Sequence, residues 1–414
     1  MAVIDPLFDP DVVEDPHGYY AQLRTMDPVH ELPGTNTFLV TRMHLIHEVV
    51  TKTAVYSSRS GVFLHHQVNG GAPGLRSPSL DIDADPDSEV GAVLATADPP
   101  DHTRQRKVVA RRLSTTVMND MEPEFRDLVD RTLDVALPTG RIEWMSQLAE
   151  PLPMVMVARI LGLPDEAAPR IKEQGYASVE AISGFVSEER LQELGRPMMD
   201  VGPVVDAYLA MRASEQYDMD TLIGVCAQAA DAGELTDEEA FAILFLLVSA
   251  GGESTTSLTG TGIRILAERP DLQDRLRSEP ELVPAFVEEA CRIDPPFRGH
   301  YRRVVADAEL GGVHLPAGST LVLAWTAANR DADAFPNPEE IDLDRPNPRQ
   351  HVGFGWGIHL CVGAPLARIE AKVAFEQLLA RTTSFSIDPS TSPLRHHQSL
   401  MVRRLTSLPL VLES

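Results

Sequence analysis

Apolar residues recur at helical spacing through most of this chain, and the clearest run begins at Thr236. Thr236 and Glu239 form a Thr-x-x-Glu capping box ahead of the apolar stretch Ala240 to Ala250. The pattern predicts a helix that continues to Arg269, where Pro270 stops it. About thirty residues rising roughly 1.5 Å each give a length of roughly 45–50 Å, enough to cross a whole domain. Helical spacing also covers Asp101 to Leu113, which is basic, Pro151 to Leu163, Glu189 to Arg212 and Pro365 to Ala380. Strand-like pieces are short and late: Val304 to Val313 with Gly311-Gly312 as a hairpin signal, Ser319 to Ala324, and Leu400 to Leu412. The pattern predicts a mainly α chain with a small β region.

No internal repeat and no long Gly/Ser linker divides the sequence, so 1–414 is expected to form a single domain. Ser60 to Pro100 stands apart, rich in Gly, Pro, Asp and Ser with little periodicity. A loop that long inside a compact enzyme reads as a substrate lid, with a disordered insertion as the alternative. The long helix also breaks a local rule at its centre, Ala250-Gly251-Gly252-Glu253-Ser254-Thr255-Thr256. Each glycine in a helix interior costs about 1 kcal/mol relative to alanine. Such a break marks either a functional site or a notch for a crossing helix.

Composition narrows the classes. Hydrophobic residues make up 43% of the 414, enough for a substantial core without disulfides. The three cysteines, Cys226, Cys291 and Cys361, form no CxxC pair and point to a reducing compartment. The first twenty residues carry neither a basic n-region nor a long apolar stretch, so no signal peptide or membrane anchor is expected and the location is read as cytoplasmic. A formal charge of −25 argues against nucleic-acid binding, which needs a basic footprint. His65-His66 and His396-His397 lack partner ligands at useful spacing for a metal.

The candidate chemistry lies in Phe354-Gly355-Trp356-Gly357-Ile358-His359-Leu360-Cys361-Val362-Gly363. Glycines at 355, 357 and 363 let the backbone approach a flat partner closely. Cys361 falls just before the predicted helix Pro365 to Ala380, where N–H groups and the helix dipole are expected to depress its pKa and favour thiolate. The alternative for Cys361 is a buried cysteine acting as a small hydrophobe. The segment matches FGxGxHxCxG at every fixed position, and the sequence resembles the cytochrome P450 family. That resemblance implies a triangular, helix-rich fold with haem b between the long central helix and the helix after the cysteine loop. By the same resemblance Cys361 is the iron ligand, Phe354 shields its sulfur, Gly363 completes the loop, and His359 faces a haem propionate. His102 and Arg106 match the family's HxxxR propionate contacts, and Arg302 is the third, with Arg303 one residue out of register as the alternative. Glu289-Ala290-Cys291-Arg292 matches ExxR, which locks in the family to an arginine of a later meander, here Arg345.

In the central helix, Ala250-Gly251 through Glu253, Ser254 and Thr255 corresponds to the family's proton relay, with Ser254 where the family usually has Thr. A carboxylate near a hydroxyl on one helix suits general acid catalysis, and a serine gives up the stiff β-branched anchor. The implied activity is monooxygenation of a lipophilic small molecule by O₂, with a ferredoxin and its reductase as separate electron donors. A peroxide-driven haem-thiolate enzyme and a non-catalytic haem or lipid binder are the rivals. Leu246, Ser249, Ala250, Phe297 and Leu400 are expected to line the substrate pocket. Arg104, Lys107, Arg111, Arg112, Arg368 and Lys372 are expected to form a basic docking patch on the cysteine side.

Overall fold

The fold was analysed as a computed structural model, which describes residues 4–67, 71–76 and 92–413. The capping box forms: Glu239 N–H donates to Thr236 Oγ1 at 3.1 Å, and Thr236 N–H donates to the Glu239 carboxylate at 2.9 Å. The helix it opens runs Asp237–Gly251, is interrupted at Gly252, and resumes as Glu253–Glu268 ahead of Pro270. By length and composition Asp237–Glu268 could also cross a membrane, but half of its most apolar window is buried inside the molecule. It is the central strut. Helix Ala168–Ala181 packs over its first half, and helices Val283–Ile293 and Ala364–Arg381 pack against its second.

Packing explains the paired glycines. A Cβ on Gly251 would lie 2.8 Å from the Val157 side chain, and one on Gly252 would run into the Met154 sulfur. Both partners belong to helix Pro151–Leu161, so the glycines form the notch in which that helix sits.

The sequence pattern misplaced several boundaries. Glu189 to Arg212 is two helices, Glu188–Met198 and Gly202–Ser214, because Pro203 is suited to a first turn and starts a new helix. Val304 to Val313 is the end of strand His300–Val304 followed by a hairpin, Ala308–Leu310 with Val313–Leu315. Its turn is Gly311-Gly312, both with positive φ, +57° and +82°. In Leu400 to Leu412 only Pro409–Glu413 is a strand, since Arg403 and Arg404 anchor the preceding chain through side-chain ion pairs instead of a ladder. Within Ser60 to Pro100, Phe63–His65 pairs with Gly74–Arg76, while residues 68–70 and 77–91 of the expected lid lie outside the described residues.

The main sheet has five strands in the order Val29–Leu32, Thr37–Val40, Thr320–Leu323, His300–Val304, Tyr56–Ser57. Its one parallel pairing joins Thr37–Val40 to Thr320–Leu323. A three-stranded sheet brings Arg141–Glu143, Ser384–Ile387 and Pro409–Glu413 together. The outcome is helices with minor sheets, as the pattern predicts.

The loop that carries Cys361 is fastened by one ion cluster. Glu289 accepts two hydrogen bonds from Arg292, at 2.7 and 2.9 Å, and one from Arg345 at 2.9 Å. Arg292 also donates to the carbonyls of Asn329, Pro338 and Glu340, tying the helix to the meander before the loop. Glu289 and Arg292 are sealed from solvent. Removing one member of such a cluster strands the others. Glu289→Gln is therefore expected to cost about 3–5 kcal/mol in urea unfolding. Arg275→Gln, which breaks the surface pair with Asp344, is expected to cost under about 1 kcal/mol.

Candidate active site around Cys361

The cysteine loop doubles back on itself. Cys361 N–H donates to the Phe354 carbonyl at 2.8 Å, and Gly355 and Gly357 have φ of +73° and +70°, which side-chain-bearing residues rarely adopt. Gly363 differs. Its φ is −86°, and an added Cβ would only touch the Cys361 sulfur at 3.9 Å, so the backbone does not demand glycine there. The close approach missed by sequence reasoning is Gly353, where a Cβ would lie 2.7 Å from the Cys291 sulfur. Phe354 is half-buried with the Arg368 guanidinium 4.3 Å over its ring.

Cys226 and Cys291 are buried, whereas Cys361 is exposed at the end of helix Ala364–Arg381. The expected pKa depression is not the net result. Although its surface is open, the protein packed around Cys361 desolvates its thiolate and pushes the thiol up, and the Gly363 and Ala364 N–H groups with Arg106 and Arg368 only partly offset that. Bonding to a metal cation reverses that balance, because a coordinating thiol is deprotonated outright.

Around the cysteine loop the structure gathers His102, Arg106, Arg302, His359 and one residue that sequence reasoning missed, His300. The His102 and His359 rings lie 4.2 Å apart. Arg302 is only 4% exposed, and its hydrogen bonds go to the Tyr301 carbonyl at 2.7 Å and His300 Nδ1 at 3.4 Å. Burial lowers its pKa to about 10, with the Asp98 charge opposing that shift. Asp98 is itself held by Ser57 and by the Ser58 N–H. Burial, then Arg302, His102, His300 and Arg106, pushes His359 down to about 2, and burial with Arg302 pushes His300 down to about 4. The Nδ1 atoms of His102 and His359 are buried without a hydrogen-bond partner, while His359 Nε2 meets Ser58 Oγ at 2.9 Å. Arg106 donates to the Leu360 carbonyl at 2.7 Å. A buried guanidinium such as Arg302, which has no salt-bridged carboxylate among the described residues and lies beside imidazoles whose pKa values are lowered, is costly unless an anion joins it. The donor set fits a carboxylate-bearing haem.

The central helix presents a half-open stripe of Leu246, Ala250 and Ser254, spaced i, i+4, i+8, beside half-buried Ser249. Ser254 Oγ donates to the Ala250 carbonyl at 2.8 Å. The neighbouring acid and alcohol point elsewhere. Glu253 is buried and accepts from Arg404 at 2.9 Å; burial raises its pKa, with Arg404 opposing. Thr255 faces Glu370, a fully buried acid whose oxygens lack well-formed hydrogen bonds and whose pKa burial raises well above the usual range. No hydrogen bond joins Glu253 to Ser254 among the described residues. Phe297 and Leu400, both half-buried, share a separate apolar cluster with Leu64, Val179 and Met401. Glu370 had a legible signal, a charge among the core-facing Leu366, Ile369 and Val373. Arg404 had none.

A family model described as cytochrome P450 matches residues 206–409. "Cytochrome P450 144" of Mycobacterium tuberculosis (strain ATCC 25618 / H37Rv) is 36% identical over 98% of this chain and 91% of its own length. The chain belongs to the cytochrome P450 family. The vitamin D(3) 25-hydroxylase of Pseudonocardia autotrophica is 32% identical over 98% of this chain and 96% of that protein. Among solved structures, CalO2 superposes with a TM-score of 0.84 at 25% identity, covering 100% of this chain and 99% of that one. CYP109E1 from Bacillus megaterium, solved with testosterone, gives 0.81 at 28% identity over 97% and 99%. The chain is thus a P450 monooxygenase that uses haem b, and its family implies O₂, an organic substrate and redox partners.

Half of the basic patch is neutralised by acids. Arg104 pairs with Asp101 and Glu239, Arg368 with Glu288, and Lys372 with Glu122; Arg112 donates to the Asp220 carbonyl. Exposed Lys107 and Arg111 make no ion pair among the described residues. A separate cavity of about 960 Å³ is lined by Glu14, His17, Arg264, Asp294, Arg330 and Arg403 among others, and by no residue of the cysteine loop or the open stripe.

Burial distinguishes Arg302 from Arg303, which is half-exposed. Arg302→Met is expected to speed haem loss to apomyoglobin at least tenfold, whereas Arg303→Met leaves the transfer rate within about twofold.

Proposed function

We propose that this P450 inserts one oxygen atom from O₂ into a lipophilic small molecule, with electrons from a ferredoxin and its reductase. The observation that carries the reading is the stripe of Leu246, Ala250 and Ser254, which sets one hydroxyl among apolar side chains on the open face of a buried helix. Phe297 and Leu400 supply further apolar wall. The names of two relatives fit, since one is a vitamin D(3) 25-hydroxylase and one was solved with testosterone.

Haem supplies the iron at which O₂ is activated, and Cys361 is the residue that would hold it and push electron density onto it. Gly363 N–H would steady the sulfur and Phe354 would cover it. His102, Arg106, Arg302 and His359 would hold the propionates, which give the buried cation cluster its missing negative charge. Ser254 holds a proton at Oγ on the Ala250 carbonyl, from which rotation about χ1 can turn it into the cleft. Glu253 stands behind it as the proton reservoir. A line of charged groups leads from it to the surface, with exposure rising from 9% at Glu253 through 12% at Arg404 and 17% at Glu150 to 30% at Lys172. Thr255, turned toward Glu370, is the alternative hydroxyl. Lys107 on the helix that carries His102 and Arg111 at its C-cap are exposed and make no ion pair among the described residues, and they suit an acidic ferredoxin.

The test uses a ligand found by spectral displacement, with NAD(P)H, ferredoxin and reductase supplied. Ser254→Ala is expected to lower product per NAD(P)H severalfold and raise released peroxide, with ligand affinity nearly unchanged. Glu253→Gln is expected to slow turnover with less leakage. Turnover that is faster with hydrogen peroxide alone than with the ferredoxin system would favour a peroxygenase. A Ser254→Ala variant matching the parent in both quantities would move the relay to Thr255.

A further inference from the structure

Helix Ala168–Ala181 lies close against the central helix: a Cβ on Gly175 would come within 3.1 Å of the Val248 carbonyl oxygen. Next to that contact sits Gln174, only 2% exposed. Its Nε2 donates to Ser178 Oγ at 3.1 Å and to Ser249 Oγ at 3.2 Å. Both hydroxyls have their own hydrogens directed at backbone carbonyls, Ser178 to Gln174 at 2.9 Å and Ser249 to Phe245 at 3.0 Å. In this pattern each hydroxyl keeps its hydrogen on a backbone carbonyl and accepts from the amide, which places Nε2 toward the two serines and turns Oε1 away from them. Gln174 Oε1 is left without a partner among the described residues, and it is not among the polar atoms sealed from open space.

We propose that Gln174 is a specificity-determining residue whose Oε1 accepts a hydrogen bond from a hydroxyl or N–H of the substrate. The inference deepens the monooxygenase reading above and rests on it. The residues hydrogen-bonded to Gln174 Nε2, Ser178 and Ser249, are both half-buried and both have a backbone carbonyl to take their own hydrogen, so the group offers acceptor capacity alone. It therefore selects a donor. Ser249 and Ser254 are five residues apart, about 7.5 Å along the helix axis. The preferred substrate is thus a lipophilic molecule with one donor group about 7.5 Å along the helix from the level of Ser254. A methyl ether or deoxy analogue leaves Oε1 desolvated and unpaired, which is the asymmetry that makes a buried polar group discriminating.

The experiment measures spectral dissociation constants on the haem-loaded enzyme for two probe pairs, testosterone with its 17-O-methyl ether and 1-dodecanol with its methyl ether. The parent is expected to bind at least one alcohol about tenfold more tightly than its ether. Gln174→Met, close in volume and without an acceptor, is expected to bring that ratio within about twofold while the ether's own affinity holds. Gln174→Glu, which keeps an acceptor, is expected to retain the preference and serves as the check if the methionine variant folds poorly. No alcohol preference in the parent, no binding of either alcohol, or an unchanged preference in Gln174→Met overturns the proposal. A parent protein without the thiolate-type carbon monoxide band would instead defeat the haem-thiolate reading beneath it.

Discussion

A guanidinium taken out of water without a carboxylate to meet it is among the most expensive things a fold can contain, and Arg302 is held in that condition. Among the described residues its strand offers only the Tyr301 carbonyl and His300, neither of them an anion, and Asp98, whose charge acts on it, is committed to Ser57 and Ser58. Around it His102, His300 and His359 are kept neutral by burial and by the cations beside them. The arrangement makes sense as half of an electrostatic pair whose other half is the propionate edge of haem. Much else follows from keeping it in register with Cys361. His359 belongs to both the cation cluster and the cysteine loop, and Arg106 grips the Leu360 carbonyl from the other side.

Register is supplied by a second, fully satisfied charge cluster. Glu289, Arg292 and Arg345 are as deeply buried as Arg302, but every member is paired, and their bonds to the Pro336, Pro338 and Glu340 carbonyls fasten the meander that leads into the loop. Glu288, one residue earlier, does the same from the neighbouring face through Arg368 and His351, and Arg368 in turn covers Phe354. Adjacent acids on one helix thus hold the two approaches to Cys361.

Local chemistry in the chain was legible wherever contacts are local or the spacing is distinctive. The capping box at Thr236, the hairpin at Gly311-Gly312 and the positive-φ glycines at 355 and 357 all read directly from short segments. The glycine pair at 251 and 252 was ambiguous between a functional site and a packing notch, and the positions of Met154 and Val157 show that both glycines serve as a notch. The division of labour among Glu253, Ser254 and Thr255 was not legible, because it depends on partners that arrive from 150, 370 and 404. The basic patch was legible only in part for the same reason: counting cations along a helix says nothing of the acids that fold back onto Arg104, Arg368 and Lys372. Gln174 carried no signal at all, since its meaning comes from two hydroxyls whose hydrogens are already engaged.

The central claim is that Cys361 is the sulfur ligand of a haem held by this cation cluster. Iron K-edge X-ray absorption of the haem-loaded protein tests it most directly, because it counts the atoms bonded to iron whatever the activity. The account predicts one sulfur in the first coordination shell of the parent and of Cys291→Ala, and none in Cys361→His. A shell of nitrogen and oxygen alone in the parent, or a sulfur that survives in Cys361→His, would contradict it.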